Sequence, residues 1–179
     1  MDQPRDGVVS RDHRTQLGRA SVDPAKARDL WLGRYQRCRE ATEALANALS
    51  DEDQQLQSMP LASPTKWHRA HTTWFFETFV LAPAGFTAHD ARFGELFNSY
   101  YESVGPRVAR EKRGLISRPS AREIGSYRRA IDERMTSLIE SLDAADLMRI
   151  GPLAELGLAH EEQHRELILT DILHAFSGN

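Results

Sequence analysis

Apolar residues recur every three or four positions along four long stretches of the chain, and polar punctuation separates them. Asp23 reads as a helix N-cap and Pro24 as the first helical residue. From there Ala27, Trp31, Tyr35, Cys38, Thr42, Leu45 and Leu49 lie on one face, which predicts a first helix buried along that face. Ser50, Asp51, Glu52 and Asp53 end it or open a polar connection. Ser63 and Pro64 repeat the start signal, and residues 65–81 carry Trp67, Trp74, Phe75, Phe76 and Phe79. A second helix so apolar on most sides belongs deep in a core. Pro83 and Gly85 stop it. Ser120 and Glu123 fit a capping box opening a third helix, with Ile124, Tyr127, Ile131, Met135, Leu138 and Leu142 inward. Gly151 and Pro152 open a fourth, whose inward stripe is Leu153, Leu156, His160, His164, Leu167, Ile168, Asp171, Ile172 and Ala175.

Residues 83–119 break the pattern. Gly85, Gly94, Gly105, Pro106, Gly114 and Pro119 alternate there with Phe86, Phe93, Phe97, Tyr100 and Tyr101. Short helical turns are expected within it, for instance over 93–101. A connection this long inside a compact domain is uncommon and often functional. No segment has the period of a strand and none repeats. The expected fold is all-α: a four-helix bundle over residues 23–179, with one long crossover loop between helices 2 and 3. Residues 1–22 are polar without an apolar period and are expected to form a flexible tail.

Composition narrows the function. The 179 residues are 40% hydrophobic and 27% charged, which suits one domain with a real core. A net charge of −3 lacks the basic excess of a general nucleic-acid or anionic-membrane binder. The one cysteine, Cys38, excludes a disulfide-stapled scaffold and a Cys-rich zinc knuckle, and its place on the first helix's apolar face suits a small buried hydrophobe. No signal-peptide h-region and no membrane-length apolar run is visible, so the expected location is the cytoplasm.

Candidate chemistry lies in the seven histidines. His160 and His164 stand one turn apart on the inward face of the fourth helix. Two buried imidazoles need partners, and a divalent metal satisfies both by taking a lone pair from each neutral ring. His71, on the stripe of Trp67, Trp74 and Thr78 in the second helix, is the natural third ligand, since bundle metal sites draw inward-projecting side chains from facing helices. His68 competes with it. The two lie about 60° apart around the helix, so they do not both point at one ion, and periodicity leaves the choice open. His13, His89 and His174 are expected at the surface or in loops. Three imidazoles without a carboxylate form a neutral set that leaves positions open for anionic ligands or O₂ and suits Fe(II), Zn, Ni or Cu. The run His160-Glu161-Glu162-Gln163-His164 also matches H-E-x-x-H, in which Glu161 would be the general base of a zincin-like metallohydrolase. Such an enzyme needs a third ligand and a cleft, usually beside an edge strand, and no strand is evident.

Several segments together resemble one family. The most specific is Ser63-Pro64-Thr65-Lys66-Trp67-His68-Arg69-Ala70-His71-Thr72-Thr73-Trp74-Phe75-Phe76-Glu77. It is joined by Phe97-Asn98-Ser99-Tyr100-Tyr101-Glu102, Gly105-Pro106-Arg107-Val108-Ala109-Arg110, Arg113-Gly114-Leu115-Ile116-Ser117-Arg118-Pro119-Ser120, Tyr127-Arg128 with Ile131-Asp132, and Gly157-Leu158-Ala159-His160-Glu161-Glu162-Gln163-His164-Arg165-Glu166. Over about residues 25–179 the chain resembles the N-terminal DinB-like domain of the ergothioneine-biosynthesis sulfoxide synthases. The resemblance implies a DinB-like four-helix bundle holding a mononuclear non-haem iron(II), Fe(II), on His71, His160 and His164, and it prefers His71 over His68. It implies an O₂-dependent oxidoreductase that joins the sulfur of cysteine or γ-glutamylcysteine to the imidazole of hercynine, giving a sulfoxide. Arg107 and Arg110 match the paired arginines that hold the thiol substrate's carboxylates, which suits the bidentate fork of a guanidinium.

A sister branch with the same motifs forms carbon–selenium bonds from a selenosugar, giving selenoneine. In both branches a second, C-terminal domain of the sulfatase-modifying-factor type supplies most of the hercynine pocket and a proton-donating tyrosine. No segment here matches that domain, so no catalytic proton donor is expected within these residues. A reading of another class is a non-catalytic DinB-like module for metal binding or dimerisation.

Overall fold

The structure is a computed structural model that describes residues 23–99 and 105–178. The expected tail over residues 1–22, His13 within it, and Tyr100 and Tyr101 lie outside the described residues. Among the described residues there are five α-helices and no strand: α1 (Pro24–Asn47), α2 (Thr65–Phe76), α3 (Phe93–Phe97), α4 (Ala121–Ser141) and α5 (Ala144–Phe176). The long helices α1, α2, α4 and α5 form the bundle. The crossover from α2 to α4 carries α3 and a 3₁₀ segment over Arg110–Leu115.

Start signals work as local chemistry dictates, with two exceptions. Asp23 accepts from the Ala25 amide ahead of Pro24. Ser120 and Glu123 close a capping box at α4. Ser63 does not cap α2: its hydroxyl accepts from Arg113 Nη1, its amide donates to Asp171, and the helix begins at Thr65 behind Pro64. Beyond Phe76 the chain continues through a widened π-helical stretch, Glu77–Leu81, and a 3₁₀ turn to Gly85, whose φ of 91° suits a residue without Cβ.

The fourth long helix starts earlier than Gly151. Asp143 accepts from the Asp146 amide and opens α5 at Ala144, so Pro152 lies inside a 33-residue helix. Proline there removes the bond to the Met148 carbonyl. Met148 and Pro152 are both exposed, so water can serve that carbonyl. The inward stripe of α5 also differs. Leu147, Ala154, Gly157, Leu158, Glu161, His164 and Ile168 are buried, while Leu156 and Leu167 are 55% and 36% exposed. Rotation of α5 is decided by a charge rather than by those leucines.

That charge is Glu161, at 0% exposure. Arg39 Nη1 of α1 donates to its Oε2 at 2.8 Å, and Arg128 Nη2 of α4 donates to its Oε1 at 2.8 Å. Thr42 Oγ1 donates to Oε1 at 2.7 Å. Arg39 continues to Asp132 and Thr73, and Asp132 also accepts from Tyr35. Three helices thus meet at one buried carboxylate, and α2 joins them through Thr73. Burial alone raises its pKa, but the two guanidiniums outweigh this and hold it at about 2.

Every residue of α2 is buried, including polar ones. The charged and indole side chains have partners: Lys66 Nζ donates to Pro119 O, Arg69 to Glu43 and Gln54, and Trp67 Nε1 to Leu96 O. Cys38 is buried and free, with its thiol pushed up to about 12 by burial.

Removing one member of a buried ionic triad leaves charge uncompensated. Glu161→Ala is expected to lower the unfolding free energy by about 3–5 kcal/mol in urea titrations followed by circular dichroism. A midpoint equal to that of the unaltered protein would refute the role given to the network.

Candidate metal centre

The rotation imposed by Glu161 turns His160 and His164 toward α2. Close approach of the two helices does the rest. A Cβ at Gly157, one turn before His160 and Glu161, would lie 2.6 Å from Cε1 of the buried Phe76 ring. Only glycine admits α5 this near to α2.

Across that contact the three candidate ligands converge. The ring centroids of His71, His160 and His164 lie 4.9 Å (71–160), 4.8 Å (71–164) and 4.6 Å (160–164) apart. One ring nitrogen from each falls within 4.8 Å of the others. His71 Nδ1 donates to the Phe97 carbonyl at 2.6 Å, which leaves Nε2 bare. That Nε2 stands 3.1 Å from His160 Nε2. His160 Nδ1 is buried and has no hydrogen-bond partner among the described residues.

The three neutral imidazoles suit a divalent ion, and the His71–His160 pair already has the spacing of two ligands on one ion. Two imidazoles about 2.1 Å from one ion at right angles have nitrogens about 3 Å apart. Charge state agrees. Burial, with His160 and Arg113 nearby, holds His71 well below its usual pKa. Burial brings His160 to about 4 and depresses His164 strongly, with neighbouring His68 and His71 adding to the latter. The rings are neutral at pH 7, the form that ligates.

His68 does not join the trio. Its Nδ1 lies 2.8 Å from His164 Nδ1 and its Nε2 3.1 Å from Asp171 Oδ2. Burial lowers its pKa, against the opposing pull of Asp171.

A cavity of about 500 Å³ opens beside these rings, lined in part by His160, His164, Gln163, Ser99, Arg110 and Arg113. Arg113 is buried and lies 3.4 Å over the Trp67 ring, against which His71 stacks at 4.7 Å. The structure thus brings Arg110 to the cavity. Arg107 is exposed and does not line it, but donates to the carbonyl of Ser99, which does. A neutral metal set beside guanidiniums favours anionic ligands.

Residues 34–168 match the DinB superfamily. The chain belongs to the DinB superfamily. Domains of the DinB superfamily bind metal and some are enzymes. No curated protein matches the chain. Among the described residues no helix is long and apolar enough to cross a membrane.

Within this DinB domain the H-E-x-x-H reading of Glu161 is corrected. Both carboxylate oxygens are held by Arg39, Arg128 and Thr42, and the residue does not line the cavity. It has no route to a metal-bound water and cannot act as a general base there. His89 and His174 are exposed, as expected, and His174 Nδ1 pairs with Ser58 Oγ at 2.8 Å. Sequence reasoning missed Arg113 and the contacts of His68. A signal for the second was present: Asp171 stands two turns beyond His164 on the same stripe, and His68 one turn before His71.

Two outcomes follow from this geometry. Gly157→Ala is expected to destabilise the bundle by about 1–3 kcal/mol through overpacking and to weaken divalent-metal binding by moving α5 from α2. Undiminished Co(II) affinity by absorbance titration would contradict the close-approach argument. The buried imidazoles hold protons less tightly folded than unfolded. Their stabilisation is therefore complete above about pH 6.5 and is lost as pH falls toward the His160 value of about 4. Each such imidazole adds up to about 1.4 kcal/mol per pH unit to the slope. Urea midpoints of the metal-free protein from pH 7 to 4.5 should fall, less steeply in His160→Ala. A flat profile would refute this.

Proposed function

We propose that this chain is the iron(II)-binding domain of an O₂-dependent non-haem oxidoreductase that builds a carbon–sulfur bond, with sulfoxide formation, or a carbon–selenium bond on the imidazole of hercynine, in ergothioneine or selenoneine biosynthesis. The observation that carries the reading is the meeting of His71, His160 and His164 beside a cavity with arginines at its wall. The motif resemblance supplies the substrates: cysteine, γ-glutamylcysteine or a selenosugar, with hercynine and O₂. The hercynine pocket and the proton-donating tyrosine belong, in this reading, to a C-terminal sulfatase-modifying-factor-type domain.

For the sulfur reaction the stoichiometry balances. One thiol, one imidazole C–H and one O₂ give a sulfoxide and one water: two electrons for the new C–S bond and two for oxidation at sulfur. Iron(II), when bound, would supply redox capacity toward O₂ and open positions for anionic ligands.

The chain's own residues do the rest. His71 is aimed by its bond to the Phe97 carbonyl. Arg110 presents a guanidinium at the cavity and Arg107 stands beside it through Ser99, which suits the carboxylates of a cysteine-type substrate. Trp67, stacked on His71 and under Arg113, walls the back of the site against water. Glu161 keeps α5 in rotation and takes no part in proton transfer.

Anaerobic titration with Fe(II) should show one equivalent bound, and His160→Ala should weaken it by more than about 100-fold. γ-Glutamylcysteine added to the Co(II)-loaded protein should raise a sulfur-to-metal charge-transfer band. Arg110→Ala should weaken that thiol binding by about 10-fold or more. Metal binding unchanged in His160→Ala would sink the reading. A Co(II) protein that gives no thiolate band would reject the thiol substrate while leaving a DinB-superfamily metal-binding domain.

A further inference from the structure

A chain of hydrogen bonds approaches the candidate metal centre from the side opposite its own ligating nitrogens. Asp171 Oδ2 accepts the Ser63 amide at 2.9 Å and sits 3.1 Å from His68 Nε2. His68 Nδ1 in turn sits 2.8 Å from His164 Nδ1. His68 is buried, at 2% exposure, so neither contact is replaced by solvent.

The donors and acceptors in this chain can be ordered. An ionised carboxylate only accepts, so the proton between Asp171 and His68 sits on His68 Nε2. A neutral imidazole has one N–H, so His68 Nδ1 is then bare and accepts. The proton between the two rings therefore belongs to His164 Nδ1. This leaves the lone pair of His164 on Nε2, in a ring whose centroid lies 4.8 Å from that of His71 and 4.6 Å from that of His160. His71 reaches the same tautomer by a shorter route, through the Phe97 carbonyl.

We propose that Asp171 and His68 are positioning residues for the metal centre: they lock His164 as its Nδ1–H tautomer and fix the ring so that Nε2 is the ligating atom. The role rests on the reading of His71, His160 and His164 as a metal site. It explains a buried histidine and a half-buried aspartate that the ligand set does not use. It also explains why Ser63, just outside α2, gives its amide to Asp171 rather than its hydroxyl to a cap: that amide holds the carboxylate in line. The link runs antiparallel, with His68 lying one turn before His71 on α2 and meeting the ring one turn after His160 on α5.

The tautomer can be read without any metal or activity. Long-range ¹H–¹⁵N correlation spectra of the metal-free, ¹⁵N-labelled full chain at pH 8 should show a protonated Nδ1 at His164 and a protonated Nε2 at His68. A protonated Nε2 at His164 would overturn the proposal. Co(II) titrations then test the consequence. His68→Leu, which removes the acceptor, and Asp171→Ala are each expected to weaken Co(II) binding by about 10–100-fold. His68→Asn keeps an acceptor oxygen near the Nδ1 position and should restore affinity to within a few-fold of the unaltered protein.

Affinity unchanged in both His68→Leu and Asp171→Ala would refute positioning. Loss in His68→Asn as complete as in His160→Ala would instead make His68 a ligand and equally refute it. If His68→Leu does not fold by circular dichroism, the wild-type tautomer and Asp171→Ala still decide. If the unaltered protein binds no Co(II) while the spectra give the expected tautomers, the metal reading fails and the lock stands as a structural one.

Discussion

A carboxylate sealed from water must be paired with positive charge and hydrogen-bonded, and Glu161 is both, with two guanidiniums and a hydroxyl on its two oxygens. Its two guanidinium partners come from different helices, so satisfying one side chain aligns three elements, with Thr73 of α2 joined through Arg39. Hydrophobic contact alone sets helix rotation loosely, because a leucine can repack a fraction of a turn away. An ion pair with fixed donor directions tolerates no such slip. Rotation of α5 sets which face carries His160 and His164, and hence whether they meet His71 at all.

Two opposite electrostatic regimes thus sit back to back on one helix. On the side of α1 and α4 a full negative charge is held by full positive charges. On the side of α2 four imidazoles are kept uncharged by burial, with Arg113 reinforcing the effect at His68, His71 and His164. An apolar helix could not divide a bundle in this way. The partnered polar residues of α2, among them Lys66, Arg69 and His71, let the dividing element pass through the centre while staying buried.

Much of this was legible in the residues. The four long periodic stretches, the capping box at Ser120, the stop at Gly85 and the deep burial of the tryptophan-rich helix follow from local pattern, because propensity and tertiary demand agree there. The start of α5 was misread at Pro152, since a proline inside a helix is tolerated when the carbonyl it abandons faces solvent. Leu156 and Leu167 were read as inward because a hydrophobic stripe ordinarily decides rotation, and here Glu161 decided it instead. The sequence offers Glu161 only as a base because nothing local marks a charge that finds its partners more than thirty residues away, at Arg128, or beyond a hundred, at Arg39. The spacing of His160 and His164 was visible on one helix. Their relation to His71 and His68 depends on how two helices pass one another, which no single segment encodes.

The complete enclosure of α2 bears on how firmly each ring is held. Because every residue from Thr65 to Phe76 is buried, fraying of the segment that carries His71 would open the core of the bundle. His160 is the ring of the three that is partly open to the surface, and its buried Nδ1 has no hydrogen-bond partner among the described residues. The three candidate ligands are therefore unequally anchored: His71 is held by the burial of its helix and by a carbonyl, His160 by packing and its contact with His71.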